Sequence, residues 1–172
     1  MQLSRKSSLL TFALATWTSN VGAFIPLVDR TTGTIQPRPY CPGRPASPSF
    51  QRAALSEFLS EFFFQPNGIT SSFLNFIDIN YIQHSANLPP YGRDVNLAAL
   101  LKAGPDFTGV NVTILQVLFD SPYGMVHYRI ALPGEQPVAI MDLWRFEGTC
   151  MVEHWDVIES LPVNATNPIA LF

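Results

Sequence analysis

Apolar residues at helical spacing dominate the first half of the chain. They recur at intervals of three and four positions after Ser47, which is suited to cap a helix, and Pro48, which is suited to a first turn. The pattern predicts a long helix with one buried face that ends before Pro66-Asn67-Gly68. The residues of this face are Phe50, Ala54, Leu55, Phe58, Leu59, Phe62 and Phe63.

Two shorter helices are predicted after the long one. Thr70 or Ser71 can cap the second helix, which ends at about Phe76, and the third helix covers residues 94–102. The intervening residues 81–85 follow no clear period and are interpreted as irregular chain. The third helix is expected to turn three leucines towards the core: Leu97, Leu100 and Leu101.

From Val110 onward the hydrophobic period changes to two, which is typical of strands that bury one face. Turns at residues 121–124 and 133–136 separate the strands, and the last two strands lie around a turn at Glu147-Gly148. Three helices followed by about four antiparallel strands predict an α+β domain, with the helices packed on one face of a curved sheet.

The last hairpin predicts which side chains share a face. If Glu147-Gly148 is a two-residue turn, Asp142 lies opposite Glu153 and Ile140 lies opposite Trp155. One face would then carry Ile140, Asp142, Trp144 and Trp155, and the other Met141, His154 and Asp156. A bulge or a longer loop would invert this assignment.

Composition narrows the class of partner. The 172 residues are 47% apolar, which suffices for one domain with a substantial core, and the formal charge is -3. The sequence has no run of basic residues, so neither nucleic acid nor an anionic membrane surface is a predicted partner. Small uncharged ligands remain open.

Residues 1–23 have the pattern of a secretory signal peptide. Arg5 and Lys6 precede an apolar run over residues 9–17, and Val21-Gly22-Ala23 is suited to signal peptidase. The run is shorter than the roughly 20 residues that span a bilayer. A cleaved peptide is therefore favoured over an uncleaved anchor, and we expect a protein of the secretory lumen or exterior without a membrane span after processing.

The remaining chain divides into three parts. Residues 24–48 contain six prolines and are expected to form an extended leader rather than a folded unit. The domain is expected over residues 49–162, followed by a polar tail over 163–172. Asn111 and Asn164 lie in glycosylation sequons, and Cys41 and Cys150 can form one disulfide or remain two buried thiols.

Asp142 is the leading candidate for chemistry because it lies among apolar residues, where burial penalises a charge. It could act as a general acid or base, or it could be a structural carboxylate bonded to a backbone donor, Arg129 or Arg145. His84 could point into a cavity from a loop or anchor that loop. His127 could reach the pocket or the outer face. His154 is interpreted as a histidine that forms its hydrogen bonds within the fold or lies at an interface, rather than as a catalytic residue.

Other reaction classes find little support. His84, His127 and His154 could in principle bind zinc with Asp142, but no short ligand spacing is present and no metal is predicted. The sequence also lacks a Gly-x-Ser-x-Gly elbow and a glycine-rich phosphate loop.

Several short motifs occur in a characteristic order. Tyr81-Ile82-Gln83-His84 precedes Gly92-Arg93-Asp94, and Val126-His127 follows. Residues 142–146 and 153–158 then supply the last two motifs, Asp-Leu-Trp-Arg-Phe and Glu-His-Trp-Asp-Val-Ile. Over residues 49–162 this set resembles the SnoaL-like branch of the nuclear-transport-factor-2-like superfamily.

The resemblance implies a cone of helices folded over a curved antiparallel sheet that encloses one pocket. It also implies that the outer sheet face can form a homodimer. Members of the branch include cofactor-free enzymes that cyclise or isomerise hydrophobic carbonyl compounds, whereas other relatives only bind ligands. No cofactor is therefore expected, and the expected partner is a small hydrophobic ligand.

Carried over residue by residue, Asp142 corresponds to the acid/base carboxylate of the cyclases. His84 corresponds to a pocket histidine that would donate a hydrogen bond to a developing enolate oxygen. The substrate-binding residues would be Tyr81, His127, Trp144 and Trp155. The expected reaction is cyclisation, isomerisation or dehydration of a polyketide-like carbonyl compound. The alternatives are a non-catalytic secreted ligand-binding protein and a dimer module whose pocket is filled.

Overall fold

Three helices and a five-stranded sheet make up the domain in the computed structural model, which describes residues 26–104, 107, 109–167 and 169–172. The helices are α1 (Pro48–Phe64), α2 (Gly68–Phe76) and α3 (Arg93–Ala103). The five strands of the sheet are β3 (Ile77–Gln83), β4 (Asn111–Asp120), β5 (Tyr123–Ala131), β6 (Val138–Glu147) and β7 (Cys150–Ser160). Two short strands before α1, β1 (Val28–Asp29) and β2 (Thr34–Ile35), lie outside this sheet. The predicted signal peptide lies outside the described residues.

Helix α1 begins where the sequence predicts. The Ser47 hydroxyl accepts a hydrogen bond from the Phe50 backbone N–H at 3.2 Å, and Pro48 is the first helical residue. The predicted apolar face is buried, with Phe62 only half-buried. Helix α2 begins earlier than its predicted caps, because Asn67 adopts a left-handed φ of 56° and turns the chain directly into the helix.

The sheet has the strand order β3-β7-β6-β5-β4. Its last four strands in the chain pair antiparallel, as predicted, whereas β3 pairs parallel with β7 and makes the sheet mixed. The interpretation of residues 81–85 as irregular was therefore wrong in part, since Tyr81 and Gln83 belong to β3. The burial of β3 does not alternate regularly, so the period of two that marks a strand is missing from its sequence.

The register of the β6–β7 hairpin differs from the predicted one. Glu147 pairs with Cys150, so the turn lies one position later at Gly148-Thr149, a change that alone preserves the predicted faces. Val152 then forms a bulge, since Phe146 pairs with Met151 but Arg145 pairs with Glu153. One extra residue inverts the facing of everything beyond it. His154 and Asp156 therefore share the inner face with Asp142, and Trp155 lies on the outer face.

The proline-rich leader packs against the domain, contrary to the expectation that the domain begins after residue 48. The Tyr40 side chain is fully buried in the core, and its hydroxyl donates to Glu57 at 2.9 Å. Arg38 forms ion pairs with Glu57 and Glu61 of α1. Prolines fix φ and remove backbone donors, but they leave the side chains between them free to enter a core.

The two cysteines form the disulfide Cys41–Cys150, which joins the leader to the first residue of β7. Around this link the Thr149 N–H donates to the Arg44 carbonyl at 2.9 Å, and the Arg44 N–H donates to the Thr149 hydroxyl at 3.1 Å. Of the two states that the sequence left open, the bonded one is observed. The leader is thereby held against the tip of the β6–β7 hairpin.

The C-terminal tail returns to the sheet. The His127 ring contacts the Leu171 carbonyl through Nε2 at 3.0 Å, and the Arg129 guanidinium lies 5.3 Å from the centre of the Phe172 ring. His127 and Arg129 flank Tyr128, which faces inward, so the tail lies on the outer face. That face is the one expected to form a homodimer, and dimerisation stays a prediction.

Gly148 at the hairpin tip should be intolerant of a side chain. Its φ is +57°, and a Cβ atom would lie 2.0 Å from the Arg44 carbonyl oxygen, so backbone must move. We expect Gly148→Ala to lower the free energy of unfolding by about 3 kcal/mol, from backbone strain plus overpacking. Urea denaturation of both proteins measures the loss.

Gly134→Ala is the matched control. Gly134 has a similar φ of +84° but nothing within 4 Å of an added Cβ. It should lose only the backbone contribution, about 1 kcal/mol. Equal losses in the two variants would contradict the proposed clash with the leader.

Candidate active site

The inner sheet face and helix α1 line a cavity of about 240 Å³. Most of its wall is apolar, with contributions from Phe58, Phe63, Phe73, Ile140, Trp144 and Ile158. The polar groups come from strands β3, β5, β6 and β7: Tyr81, Gln83, Tyr128, Asp142, His154 and Asp156. Asn87 and Ile158 also line the cavity and are exposed, which places its mouth between the loop after β3 and the end of β7.

Strand alternation and the bulge at Val152 bring the polar groups together. Alternate residues of β6 point inward, so Asp142 and Trp144 share the cavity wall. Because of the bulge, Asp142 pairs with Asp156 and Trp144 pairs with His154. The structure therefore confirms the inward orientation of Asp142 and places two unpredicted ionisable residues beside it.

Two side chains contact the Asp142 carboxylate. The Tyr128 hydroxyl donates to Oδ2 at 3.0 Å, and His154 Nε2 lies 3.3 Å from Oδ1 without a well-aligned hydrogen bond. The Asp142 side chain is 10% exposed and that of His154 6%. Neither arginine proposed from sequence binds this carboxylate, since Arg145 binds Glu147 and Glu153 and Arg129 lies against the Phe172 ring.

Gln83 determines which ring nitrogen of His154 carries a proton. The Gln83 Oε1 atom accepts from the Ser85 backbone N–H at 3.0 Å and lies 2.8 Å from His154 Nδ1. A backbone N–H can only donate, so this amide atom is the oxygen, and Nδ1 must be the donor to it. Nε2 is then the ring nitrogen that faces Asp142.

The imidazole and the carboxylate are close enough to interact directly, since His154 Nε2 lies 3.3 Å from Asp142 Oδ1. Nδ1 is already bonded to Gln83, so only Nε2 of this ring is directed at the carboxylate. Strands β6 and β7 thus place an acidic and a basic side chain side by side on the cavity wall.

The two cavity tyrosines are held in the protonated form. Burial is the largest cause and the Asp142 charge the second for both Tyr81 and Tyr128, and together they raise both pKa values well above 10.0. Asp156 raises both further, whereas the hydrogen bond from Gln83 opposes the shift at Tyr81. Both phenols therefore act as hydrogen-bond groups, not as bases, at neutral pH.

Trp144 presents an unused donor. Its Nε1 atom is buried without a hydrogen-bond partner among the described residues. The indole packs 4.1 Å from the His154 ring and is stacked with Tyr81 at 6.2 Å between ring centres. A buried N–H without a partner is costly and is satisfied when a ligand supplies an acceptor.

Three residues predicted for the pocket lie elsewhere. The His84 side chain is 41% exposed, stacks on Trp155 at 4.7 Å and contacts Glu153 Oε1 at 2.8 Å. Partial burial would raise the pKa of Glu153, but hydrogen bonds from His84 and Arg145 lower it overall. His127 contacts the C-terminal tail. His84 does not meet Asp142, because it directly follows Gln83, which faces the cavity at the end of β3, and successive residues of an extended chain face opposite sides.

Sequence reasoning missed His154, Gln83 and Tyr128 as members of the site. His154 was assigned to the wrong face, and Gln83 was assigned to irregular chain although it is the last residue of β3. Tyr128 lies 14 residues before Asp142, and only the β5–β6 pairing brings them together. The alternation of β5 could have indicated Tyr128, since its neighbours Val126 and Ile130 are inward residues too.

The described residues contain one close group of potential metal ligands, Cys41, Asp78 and Cys150. Both cysteines are in the disulfide, which removes their thiolates. The three histidines considered for zinc do not meet at Asp142. No helix among the described residues is both long and apolar enough to span a bilayer.

No protein-family model and no curated protein matches the chain. Solved structures do. A protein of unknown function from Mesorhizobium loti aligns with a TM-score of 0.54 and 16% identity, over 68% of this chain and 98% of that one. Another, from Burkholderia xenovorans, aligns with a TM-score of 0.52 and 17% identity, over 68% and 88%. Both are described as NTF2-like.

The chain has the nuclear-transport-factor-2-like fold. The predicted fold is thereby confirmed, with helices packed on a largely antiparallel sheet. A proposed ketosteroid isomerase from Kribbella flavida also has this similarity, with a TM-score of 0.51 and 15% identity over 72% of this chain and 88% of that one. Identities this low establish the fold alone.

The raised pKa of Tyr128 predicts a loss of stability at high pH. The phenol ionises less readily in the folded protein, so unfolding releases protons above pH 10.0 and the free energy of unfolding falls as pH rises. Tyr128→Phe should show a shallower decline than the parent between pH 10 and 12, about the range in which ordinary tyrosines ionise. Urea denaturation across this range tests it, and identical slopes would contradict the assigned burial.

Proposed function

We propose that the chain is a cofactor-independent enzyme that transfers a proton on a small hydrophobic carbonyl compound, as in SnoaL-like cyclases and isomerases. The observation that carries the proposal is the buried Asp142 carboxylate, in contact with Tyr128 and His154 on the wall of an apolar cavity. A buried carboxylate beside a histidine on a cavity wall is a candidate general acid or base. The similar Kribbella flavida protein, itself a proposed ketosteroid isomerase, agrees in reaction class.

Asp142 would remove a proton from the carbon next to the carbonyl group. The C–H bond breaks, its electron pair moves to the carbonyl oxygen as an enolate, and the proton passes to the carboxylate. Tyr128 holds Oδ2, so Oδ1 is the oxygen available for transfer. Return of the proton to another carbon completes an isomerisation, whereas attack of the enolate on a second carbonyl completes an aldol cyclisation.

The remaining polar groups would orient His154 and stabilise the enolate oxygen. Gln83 orients His154 by accepting from Nδ1, which leaves Nε2 to exchange a proton with Asp142. The free N–H of Trp144 and the hydroxyl of Tyr81 are available to donate to the enolate oxygen. Donors fixed in a water-poor cavity stabilise developing charge more effectively than water does.

A non-catalytic ligand-binding protein is the second proposal, supported by the same aromatic cavity. A binding protein requires the cavity but no proton transfer, so an assay of proton transfer distinguishes the binding proposal from the enzymatic one. The third alternative, a module with a filled pocket, is disfavoured by a cavity of about 240 Å³.

Exchange of hydrogen for deuterium tests the chemistry without a known substrate. In heavy water, the enzyme should accelerate exchange at the carbon next to the carbonyl of a hydrophobic ketone such as tetralone, followed by proton NMR. Asp142→Asn should slow the catalysed exchange by about a hundredfold or more, since general-base catalysis contributes roughly that factor. Unchanged exchange in this variant would refute the proposed role.

Two control variants make the result specific. Glu153→Gln changes an outward-facing carboxylate on the neighbouring strand β7, and His84→Ala removes the histidine that stacks on Trp155. Both should keep the exchange rate of the parent. If no ketone exchanges faster with the parent protein than in buffer, the binding proposal replaces the enzymatic one.

We also propose that the protein enters the secretory pathway. The signal-like residues 1–23 and the Cys41–Cys150 disulfide support this, because disulfides persist in oxidising compartments. Asn111 and Asn164 are both exposed, as glycan attachment requires. N-terminal sequencing of protein secreted by a eukaryotic host should give Phe24 as the first residue, and retention of Met1 would contradict the export prediction.

A further inference from the structure

Asp156 is a carboxylate in the cavity for which the fold supplies no partner. It lies directly opposite Asp142 in the β6–β7 pairing and lines the same cavity. It forms no hydrogen bond or ion pair with any described residue. Directly paired residues have Cβ atoms about 5 Å apart, so the two carboxylates are close neighbours.

The cavity consequently carries an uncompensated negative charge. His154 lies 3.3 Å from Asp142, but no histidine, lysine or arginine among the described residues forms an ion pair with Asp156. No lysine or arginine is among the described residues that line the cavity. The charge of Asp156 is felt inside, because it contributes to the raised pKa values of Tyr81 and Tyr128 after the effects of burial and Asp142.

We propose that Asp156 binds a protonated amine of the ligand, so that the substrate class is a hydrophobic carbonyl compound bearing a positively charged nitrogen. An ammonium group would neutralise the unpaired carboxylate and form charge-assisted hydrogen bonds with it. Tyr81 and Trp144 also line the cavity and supply apolar surface for the rest of such a ligand. An anionic ligand would meet like charges and be rejected.

The opposite end of such a ligand also finds a partner. The buried Trp144 N–H lacks an acceptor, and a carbonyl oxygen could supply one. The inference rests on the cavity being the ligand site of the proposed function, but it concerns binding rather than chemistry. Proton exchange on neutral ketones tests the proposed function, and the ranking of ligands by charge tests the role of Asp156. Either prediction can therefore fail while the other holds.

Three ligands of matched shape test the proposal: naphthylmethylamine, naphthylmethanol and naphthoate, which at neutral pH are a cation, a neutral molecule and an anion. Ligand-observed NMR titrations give their dissociation constants. The amine should bind about tenfold more tightly than the alcohol, as a gain of one charge-assisted hydrogen bond in a partly buried site implies. Naphthoate should bind most weakly.

Asp156→Asn should remove the preference for the amine while binding of the alcohol is retained, whereas Asp156→Glu should keep the preference. Naphthylmethanol binding as tightly as the amine to the parent would overturn the proposal. So would a preference for the amine that survives Asp156→Asn. If the asparagine variant does not fold, the ranking by the parent and by the glutamate variant decides the matter.

Discussion

The bulge at Val152 is the constraint on which the site depends. One extra residue in β7 changes which side chains face inward from Glu153 onward, and it brings His154 and Asp156 to the wall that already carries Asp142. The same residue turns Trp155 outward, where it stacks on His84. Bulges often re-aim side chains beside functional sites, and here the bulge brings His154 next to Asp142.

The electrostatics of the cavity follow from that arrangement. Asp142, His154 and Asp156 lie among aromatic side chains, and no lysine or arginine is among the described residues that line the cavity. The hydrogen bonds of Tyr128 and Gln83 orient the Asp142–His154 pair. The buried indole N–H of Trp144 has no acceptor among the described residues, and a suitable ligand would supply one.

The proline-rich leader packs against the core and the tip of the β6–β7 hairpin, whose strands carry these polar residues. Tyr40 enters the core beside Phe50 and Phe76, and the disulfide and the Arg44 hydrogen bonds hold the tip of the β6–β7 hairpin. The segment thus links helix α1 to the hairpin that carries the bulge. The extension that the sequence predicted to be separate packs against the folded domain.

Local sequence determined the helices, most of the strands and the inward orientation of Asp142. Capping by Ser47 and the apolar stripe of α1 are short-range properties, and so is the alternation of β6. The parallel partner of β3, the position of the bulge and the residues beside Asp142 depend on contacts between distant segments. A single added residue in a strand leaves the hydrophobic pattern nearly unchanged but reverses a face, so only the tertiary structure could decide which histidine meets the carboxylate.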